Sequence, residues 1–399
     1  MSLLNTIKYY GLLVLSMVFV NVSAQVLKTM KHLPGTGQFK SYTNTFGENA
    51  DYQFYNPYFI ANGKTVLDTV TGLLWQVTDG GEMTFAQAKT YCDTLTLGGY
   101  TDWRLPNPHE AFSILNHDVT NPAIDVNYFT KTAAEYWWSG TQQVGDPSKV
   151  WCTNAGGGIG NHPISETISA GGAKKFHVRA VRDVQAPKTI QTQWVQTNQM
   201  VYDSLTQLYW TPFLSSDTLT WEQALTYAEQ LTHAGYSDWR LPNIKELQSI
   251  NDESRSNPSL STVVFPQVGV KSIWSSSSLP NQTTKAWYLD TKFGITTYKT
   301  KTNRTWVLCV RGGTPPVSAI QSSALLHKVN LYPNPSHGYV KVHMDHPMQM
   351  LSVYDQMGRL LFQFQPNANV FELPILSKGL YNLRIHTEGF QTTECLIIE

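Results

Sequence analysis

At 399 residues the chain exceeds one average domain, and its 41% apolar and 12% aromatic residues exclude a wholly disordered protein. Charged residues make up only 15%, and Lys+Arg and Asp+Glu both count 29. No global field therefore recruits nucleic acid or an anionic membrane, which excludes a dedicated DNA binder.

Residues 1–24 carry one charge, Lys8, then an apolar run from Tyr9 to Val20 and a small-residue site at Val22-Ser23-Ala24. This pattern predicts a secretory signal peptide cut before Gln25. The run of about 12 residues is short of the roughly 20 that span a bilayer. A lead-in segment, 25–59, follows. Four cysteines are few for a secreted disulfide scaffold, so apolar cores carry the stability.

A shift of 136 residues aligns Thr84–Asn107 with Thr220–Asn243, with 15 of 24 positions identical. The match runs upstream, where Val66–Trp75 faces Val201–Trp210. It runs downstream too: Trp138-Ser139 faces Trp274-Ser275, Trp151 faces Trp287, and Val178-Arg-Ala-Val-Arg182 faces Val307-Leu-Cys-Val-Arg311. A period this long is no solenoid, and each copy has the size of a domain.

Within a copy, Thr84 with Gln87 and Thr220 with Gln223 form capping-box patterns before helically spaced apolar residues such as Phe85, Ala88 and Cys92. Gly99 and Gly235 stop those helices. Asn107 and Asn243, each three residues before a glutamate, predict the cap of a second helix. The remainder alternates Trp, Tyr, Val and Thr with turn residues, which predicts short antiparallel strands. The expected fold class is α+β: two helices plus a small antiparallel sheet, twice. The copies span 60–184 and 196–313, with Gln185-Ala-Pro-Lys188 between them.

These motifs resemble the Lcl C-terminal domain family, named after a bacterial collagen-like adhesin. The resemblance rests on Asp-x-x-Thr-Gly-Leu-x-Trp, a Thr-x-x-x-Ala helix, Gly-Tyr-x-Asp-Trp-Arg-Leu-Pro-Asn, an internal Trp-Ser and a closing Val-Arg strand. It implies tandem C-type-lectin-like domains and, as in characterised relatives, adhesion to sulfated polysaccharide. The family staples its first helix to its last strand. Here copy 1 has Cys92 but Ala180 at the strand, and copy 2 has Cys309 but Ala228 at the helix. Cys92 paired with Cys152, Cys92 paired with Cys309, and unpaired buried thiols stand as alternatives, with Cys395 unassigned.

After a Thr314–Ser323 stretch rich in Pro and Ser, inside a linker at 314–327, residues 328–399 read as short strands of a small all-β sandwich. Asn330-Leu-Tyr-Pro-Asn-Pro, Leu351–Arg359 and Lys378-Gly-Leu-Tyr-Asn-Leu-Arg-Ile385 resemble the C-terminal sorting domain of the type IX secretion system. That resemblance implies Sec export through the periplasm, the type IX machinery as a partner, and an extracellular or outer-membrane-surface destination.

No nucleophile elbow, zinc-helix, Walker or Rossmann pattern is present, and the His residues lack ligand spacing. We expect no enzyme, no catalytic residue, no metal and no cofactor. An oxidoreductase or hydrolase on the same fold is the least favoured alternative. The Asp102-Trp103-Arg104 and Asp238-Trp239-Arg240 triplets, with Asn107 and Asn243, read as structural: Trp anchors the core, the charged pair ties the turn, and Asn starts a helix. The calcium-binding triplets of C-type lectins are missing, so glycan recognition is expected to be calcium-independent.

Charge is uneven in copy 2. Residues 264–313 hold seven cations against Asp290 alone. Lys285, Trp287, Lys292, Lys299, Lys301 and Arg304 are the candidate ligand-binding residues, since cations beside aromatic rings suit sulfated or uronate-rich polysaccharide. The expected function is a secreted or surface adhesin-like binding protein with a polysaccharide or glycoconjugate partner. The alternative is a structural or protein-binding surface module.

Overall fold

The computed structural model describes residues 33–52, 54, 57, 59–130, 134–165, 172–184, 194–196, 199–312, 329–355, 360–387 and 391–399. The expected signal peptide and both expected linkers lie outside the described residues. The chain divides into two compact units, residues 1–315 and 316–399.

In the first unit, copy 1 runs through β1 (Phe59–Asn62), β2 (Thr65–Asp68), β3 (Leu73–Gln76), β4 (Glu82–Met83), α1 (Phe85–Thr94), α2 (Pro108–Ser113), β5 (Tyr136–Gln143), β6 (Asp146–Asn154), β7 (Ile159–Pro163), β8 (Phe176–His177) and β9 (Val181–Asp183). Copy 2 runs through β10 (Trp194–Gln196), β11 (Val201–Asp203), β12 (Leu208–Trp210), α3 (Trp221–Gln230), α4 (Ile244–Ser249), β13 (Ser272–Ser278), β14 (Lys285–Asp290), β15 (Ile295–Thr300) and β16 (Val310–Gly312). Thr84 and Thr220 cap α1 and α3, and the Gln87 and Gln223 side chains accept from their backbone N–H at 3.0 and 3.1 Å.

The first three strands of each copy pair with its last, giving the sheets β1-β2-β3-β9 and β10-β11-β12-β16. The other strands form a single sheet of eight, in the order β13-β14-β15-β7-β6-β5-β8-β4. The expected α+β class, two helices and a small antiparallel sheet per copy, is therefore corrected: the protein is mostly β, with 38% of the described residues in strand against 11% in helix. Two physical reasons account for this. Leu95 and Leu231 leave the helical region after ten residues, and α2 and α4 are one and a half turns long. The β-branched and aromatic remainder forms strands of up to nine residues, and one edge of each copy meets the other at a single residue pair.

At the junction, Thr296 of β15 pairs with Ile159 of β7, and the Ile159 amide donates to Thr296 Oγ1 at 3.0 Å. Trp287 of copy 2 lies beneath, in one buried cluster with Phe112, Leu115, Trp151 and Ile159 of copy 1 and Ile244 and Leu279 of copy 2. Gly158 lets β15 come close here: a Cβ on it would lie 2.9 Å from the Asn154 side chain and 3.2 Å from Thr296 O, and Gly157 has φ +96°. His117 stands edge-on to Trp287, and burial pushes its imidazole down to about 3, so it is neutral here.

Lys245 of α4 crosses the same junction. Its Nζ donates to Ser113 O of copy 1 at 2.7 Å and to Gly35 O of the lead-in at 2.9 Å. At the matching position of α2, His109 Nε2 lies 2.6 Å from Glu253 Oε1 of copy 2. The lead-in docks mainly on copy 2, although it precedes copy 1. Thr43 donates to Glu222 at 2.9 Å, Tyr52 hydrogen-bonds Glu229, and Ser278 bonds the fully buried Glu48.

The second unit holds β17 (Asn330–Tyr332), β18 (Lys341–Met348), β19 (Met350–Asp355), β20 (Leu360–Phe364), β21 (Ala368–Glu372), β22 (Gly379–His386) and β23 (Gln391–Ile398). Sheets β17-β18-β21 and β20-β19-β22-β23 close on one core that includes Val342, Val353, Leu383 and Leu396.

Burial lowers Lys245 from 10.5 to about 7, only partly offset by the buried Asp68. Between pH 7 and 9 the unfolded chain therefore holds a proton the folded chain has released, so stability rises with pH and falls as pH drops toward 7. Urea unfolding of the full chain across this window is expected to show a gain approaching about 1 kcal/mol per pH unit, lost in Lys245→Met.

Candidate functional site

The shared Asp-Trp-Arg-Leu-Pro-Asn segment leads each copy into its second helix, and its Asp, Trp, Arg and Asn side chains each have a local task. Trp103 Nε1 donates to Leu97 O at 3.2 Å, and Trp239 Nε1 to His233 O at 3.1 Å. Asp102 accepts from Arg182 at 2.7 and 3.0 Å, and Asp238 from Arg311 at the same distances, tying the turn to the copy's last strand. Arg104 forks onto Glu110 at 2.7 and 2.8 Å, and Arg240 onto Glu246 at 2.7 and 2.6 Å. Those glutamates also accept from the backbone N–H of Asn107 and Asn243, whose side chains cap α2 and α4. One difference separates the copies. Arg240 is 4% exposed, beneath the Tyr52 and Phe54 rings of the lead-in, whereas Arg104 is 35% exposed and has a second carboxylate, Asp183, at 2.9 Å.

The cationic candidates of copy 2 gather on and around the β14–β15 hairpin, on both of its faces. Register places Lys299 opposite Ala286, on the face of Tyr288, and Lys285 opposite Thr300, on the face of Trp287 and Tyr298. Lys299 Nζ lies 3.8 Å from the Tyr288 ring centre, and Lys285 Nζ lies 5.0 Å from that of Tyr298. Lys292 sits in the turn, 5.2 Å above Phe293. Among the described residues none of these three is in an ion pair, and burial lowers Lys299 from its ordinary value despite Asp290.

The remaining candidates are committed elsewhere. Trp287 is 2% exposed inside the junction and offers no surface for stacking. Lys301 is buried with its Nζ 3.7 Å from the Trp221 ring centre and without a hydrogen bond among the described residues, and burial lowers its pKa. Arg304 is bound to Asp217 and to Thr218 O at the start of α3. Tyr288 and Tyr298 are the rings that sequence reasoning missed; alternation from Trp287, read through the hairpin, identifies both.

Copy 1 has a different feature in the matching region, a small cleft of about 30 Å³ walled by Trp75, Trp137, Trp138 and Pro122, with Arg179 and Thr153 in its lining. Arg179 Nη1 donates to Gln76 O at 2.9 Å and also to Val77 O, while Nη2 lies 3.9 Å from Asp79. Asp79 already accepts from Gly81 N at 3.1 Å and Trp137 Nε1 at 3.3 Å, and contacts His177 Nδ1 at 3.0 Å. Burial lowers Arg179 to about 10, and Asp79 recovers only part of the cost. Sequence reasoning missed Arg179; the signal was its alignment with Leu308.

Cys92, Cys152 and Cys309 are free and buried, so neither the Cys92–Cys152 nor the Cys92–Cys309 bridge forms. Burial pushes the Cys92 thiol up to about 12, which leaves it protonated and unreactive at neutral pH. The Cys395 side chain lies outside the described residues. Among the described residues no three His, Cys, Asp or Glu side chains group to hold a metal ion.

The Lcl C-terminal domain matches residues 64–182 and again 199–311, and the secretion system C-terminal sorting domain matches 330–399. The sorting domain indicates type IX export to the cell surface or the extracellular space. No curated protein matches the chain. Among solved structures it is similar to PorZ of Porphyromonas gingivalis, described as an essential bacterial surface component of the type-IX secretion system. The identity is 14% over 63% of this chain and 29% of that one, with a TM-score of 0.17. The chain thus spans under a third of that protein's length.

Removing the helix-capping glutamate is expected to affect the copies unequally. Glu246→Ala leaves Arg240 buried without its partner, at a cost of about 3–5 kcal/mol. Glu110→Ala leaves Arg104 with Asp183 and solvent, so the cost is about 1–2 kcal/mol, mostly the lost cap. Urea denaturation of the two variants measures the difference.

Proposed function

The chain belongs to the Lcl C-terminal domain family and ends in a type IX sorting domain, and from that premise we propose that it is a non-enzymatic surface protein that binds anionic polysaccharide without calcium. One observation carries this reading. Lys285, Lys292 and Lys299 stand on one hairpin without ion pairs among the described residues, and two of them rest against tyrosine rings. An ammonium held over a ring keeps its charge while shedding part of its hydration, so a sulfate or uronate group finds a cation that is cheap to desolvate. The half-exposed Tyr298 gives the flat apolar face against which a sugar ring packs. Each contact is weak alone, and a repeating polymer engages several at once. Ionic attraction of this kind is screened by salt and needs no divalent cation.

A purely structural role draws support from the shared sheet, which makes the repeat one building block. Polymer binding separates the two readings. The full chain is expected to be retained on sulfated and uronate-rich polysaccharide columns, to elute with salt, and to be unaffected by chelator. Lys285→Ala with Lys299→Ala is expected to weaken retention about tenfold. Retention unchanged by that pair, or absent on every anionic polymer, contradicts the proposal.

A further inference from the structure

The two copies differ at four aligned positions on one wall. Copy 2 has Leu247, Ile273, Leu289 and Leu308 there, all fully buried in one apolar cluster. Copy 1 has Ala111, Trp137, Thr153 and Arg179, and the cleft opens among them. The aligned residues follow from fixed landmarks: four positions after the capping asparagine, one before the buried Trp of β5 or β13, two after Trp151 or Trp287, and one after Val178 or Val307.

A buried arginine normally has its charge met by a carboxylate within hydrogen-bond distance. Arg179 is 4% exposed, yet Asp79 lies too far for a hydrogen bond and its oxygens are engaged by Trp137, Gly81 and His177. Two backbone carbonyls hold Nη1, and the Phe129 ring lies 5.1 Å from the guanidinium, so the group is fixed before anything binds. Nη2 has no hydrogen-bond acceptor among the described residues. Trp75 Nε1, in the same lining, is buried without a partner among the described residues. Among the described residues Trp210 Nε1 of copy 2 is likewise unpartnered, in a solid core, so what sets the cleft apart is the buried charge of Arg179.

We propose that the copy 1 cleft binds the carboxylate of a small acid, with Arg179 as its cation and the indoles of Trp75, Trp137 and Trp138 enclosing it. A cavity of this size admits one planar group or a couple of waters. With Nη1 held by two carbonyls, Nη2 is left to meet an anionic oxygen, and a cavity this small takes a flat carboxylate rather than a bulkier tetrahedral oxoanion. The body of the acid, a sugar ring or a short apolar chain, leaves along Trp137 and Pro122. This site is independent of the hairpin lysines of copy 2.

The test is ligand-observed NMR on the full chain with glucuronate, acetate, glucose and inorganic sulfate, with thermal unfolding as the folding control. Glucuronate or acetate is expected to bind, and Arg179→Leu is expected to weaken it at least tenfold. Ala111→Leu, which gives copy 1 the side chain that fills this place in copy 2, is expected to do the same and keeps the test valid where the arginine variant unfolds. Lys285→Ala with Lys299→Ala is expected to leave it unchanged, which separates this proposal from polysaccharide binding at the hairpin. Tighter glucuronate assigns the site to sugar acids, and tighter acetate to simple acids. No carboxylate binding at millimolar concentration (water only in the cleft), binding unaltered in both cleft variants, or equal binding of glucose or sulfate overturns it.

Discussion

The Lys245 amine enters the interior between the two copies with two backbone carbonyls as its hydrogen-bond partners, and much of the first unit follows from the seal around it. An amine so placed loses most of its hydration, which is tolerable only when water stays out and its N–H groups are satisfied. Three separate pieces of chain supply that enclosure: α2 of copy 1, the lead-in at Gly35, and α4 itself. The β7–β15 pairing and the Trp287 cluster close the same junction. A buried polar contact of this kind fixes register more than it adds stability, because a shift of one residue leaves the amine without acceptors.

The joined copies differ in chemistry. The arginine of the shared motif is roofed by lead-in rings in copy 2 and left half open in copy 1. The wall below it is a leucine core in copy 2 and a cleft with a buried arginine in copy 1. The hairpin that is cationic in copy 2 corresponds to β6–β7 of copy 1, where Trp151 and Ile159 belong to the junction. A duplicated fold thus presents two chemically distinct surfaces on one frame.

Local features were legible in the sequence because they depend on neighbours a few residues away. The Thr-x-x-Gln and Asn-x-x-Glu pairs announce their helix starts, and the period of 136 residues announces the duplication. The balance of helix and strand was misread because helical spacing over Phe85–Leu95 says nothing about how far the later strands extend or whom they meet. The shared sheet is legible only in hindsight, through Gly157 and Gly158, since pairing between distant edges leaves no periodic mark. Trp287 and Lys301 looked like ligand contacts because alternation assigns a face and not what covers it. The lead-in was the least legible part: its Thr43 and Tyr52 dock on α3, more than 170 positions away, and its Glu48 on Ser278 of β13.

Hydrogen–deuterium exchange of the full chain through a urea series tests most directly whether the two copies are one cooperative body. Peptides covering the β7 and β15 strands and the lead-in are expected to lose protection at one common midpoint, together with the cores of both copies. Separate midpoints, with one copy open while the other keeps its protection, would contradict a single cooperative body.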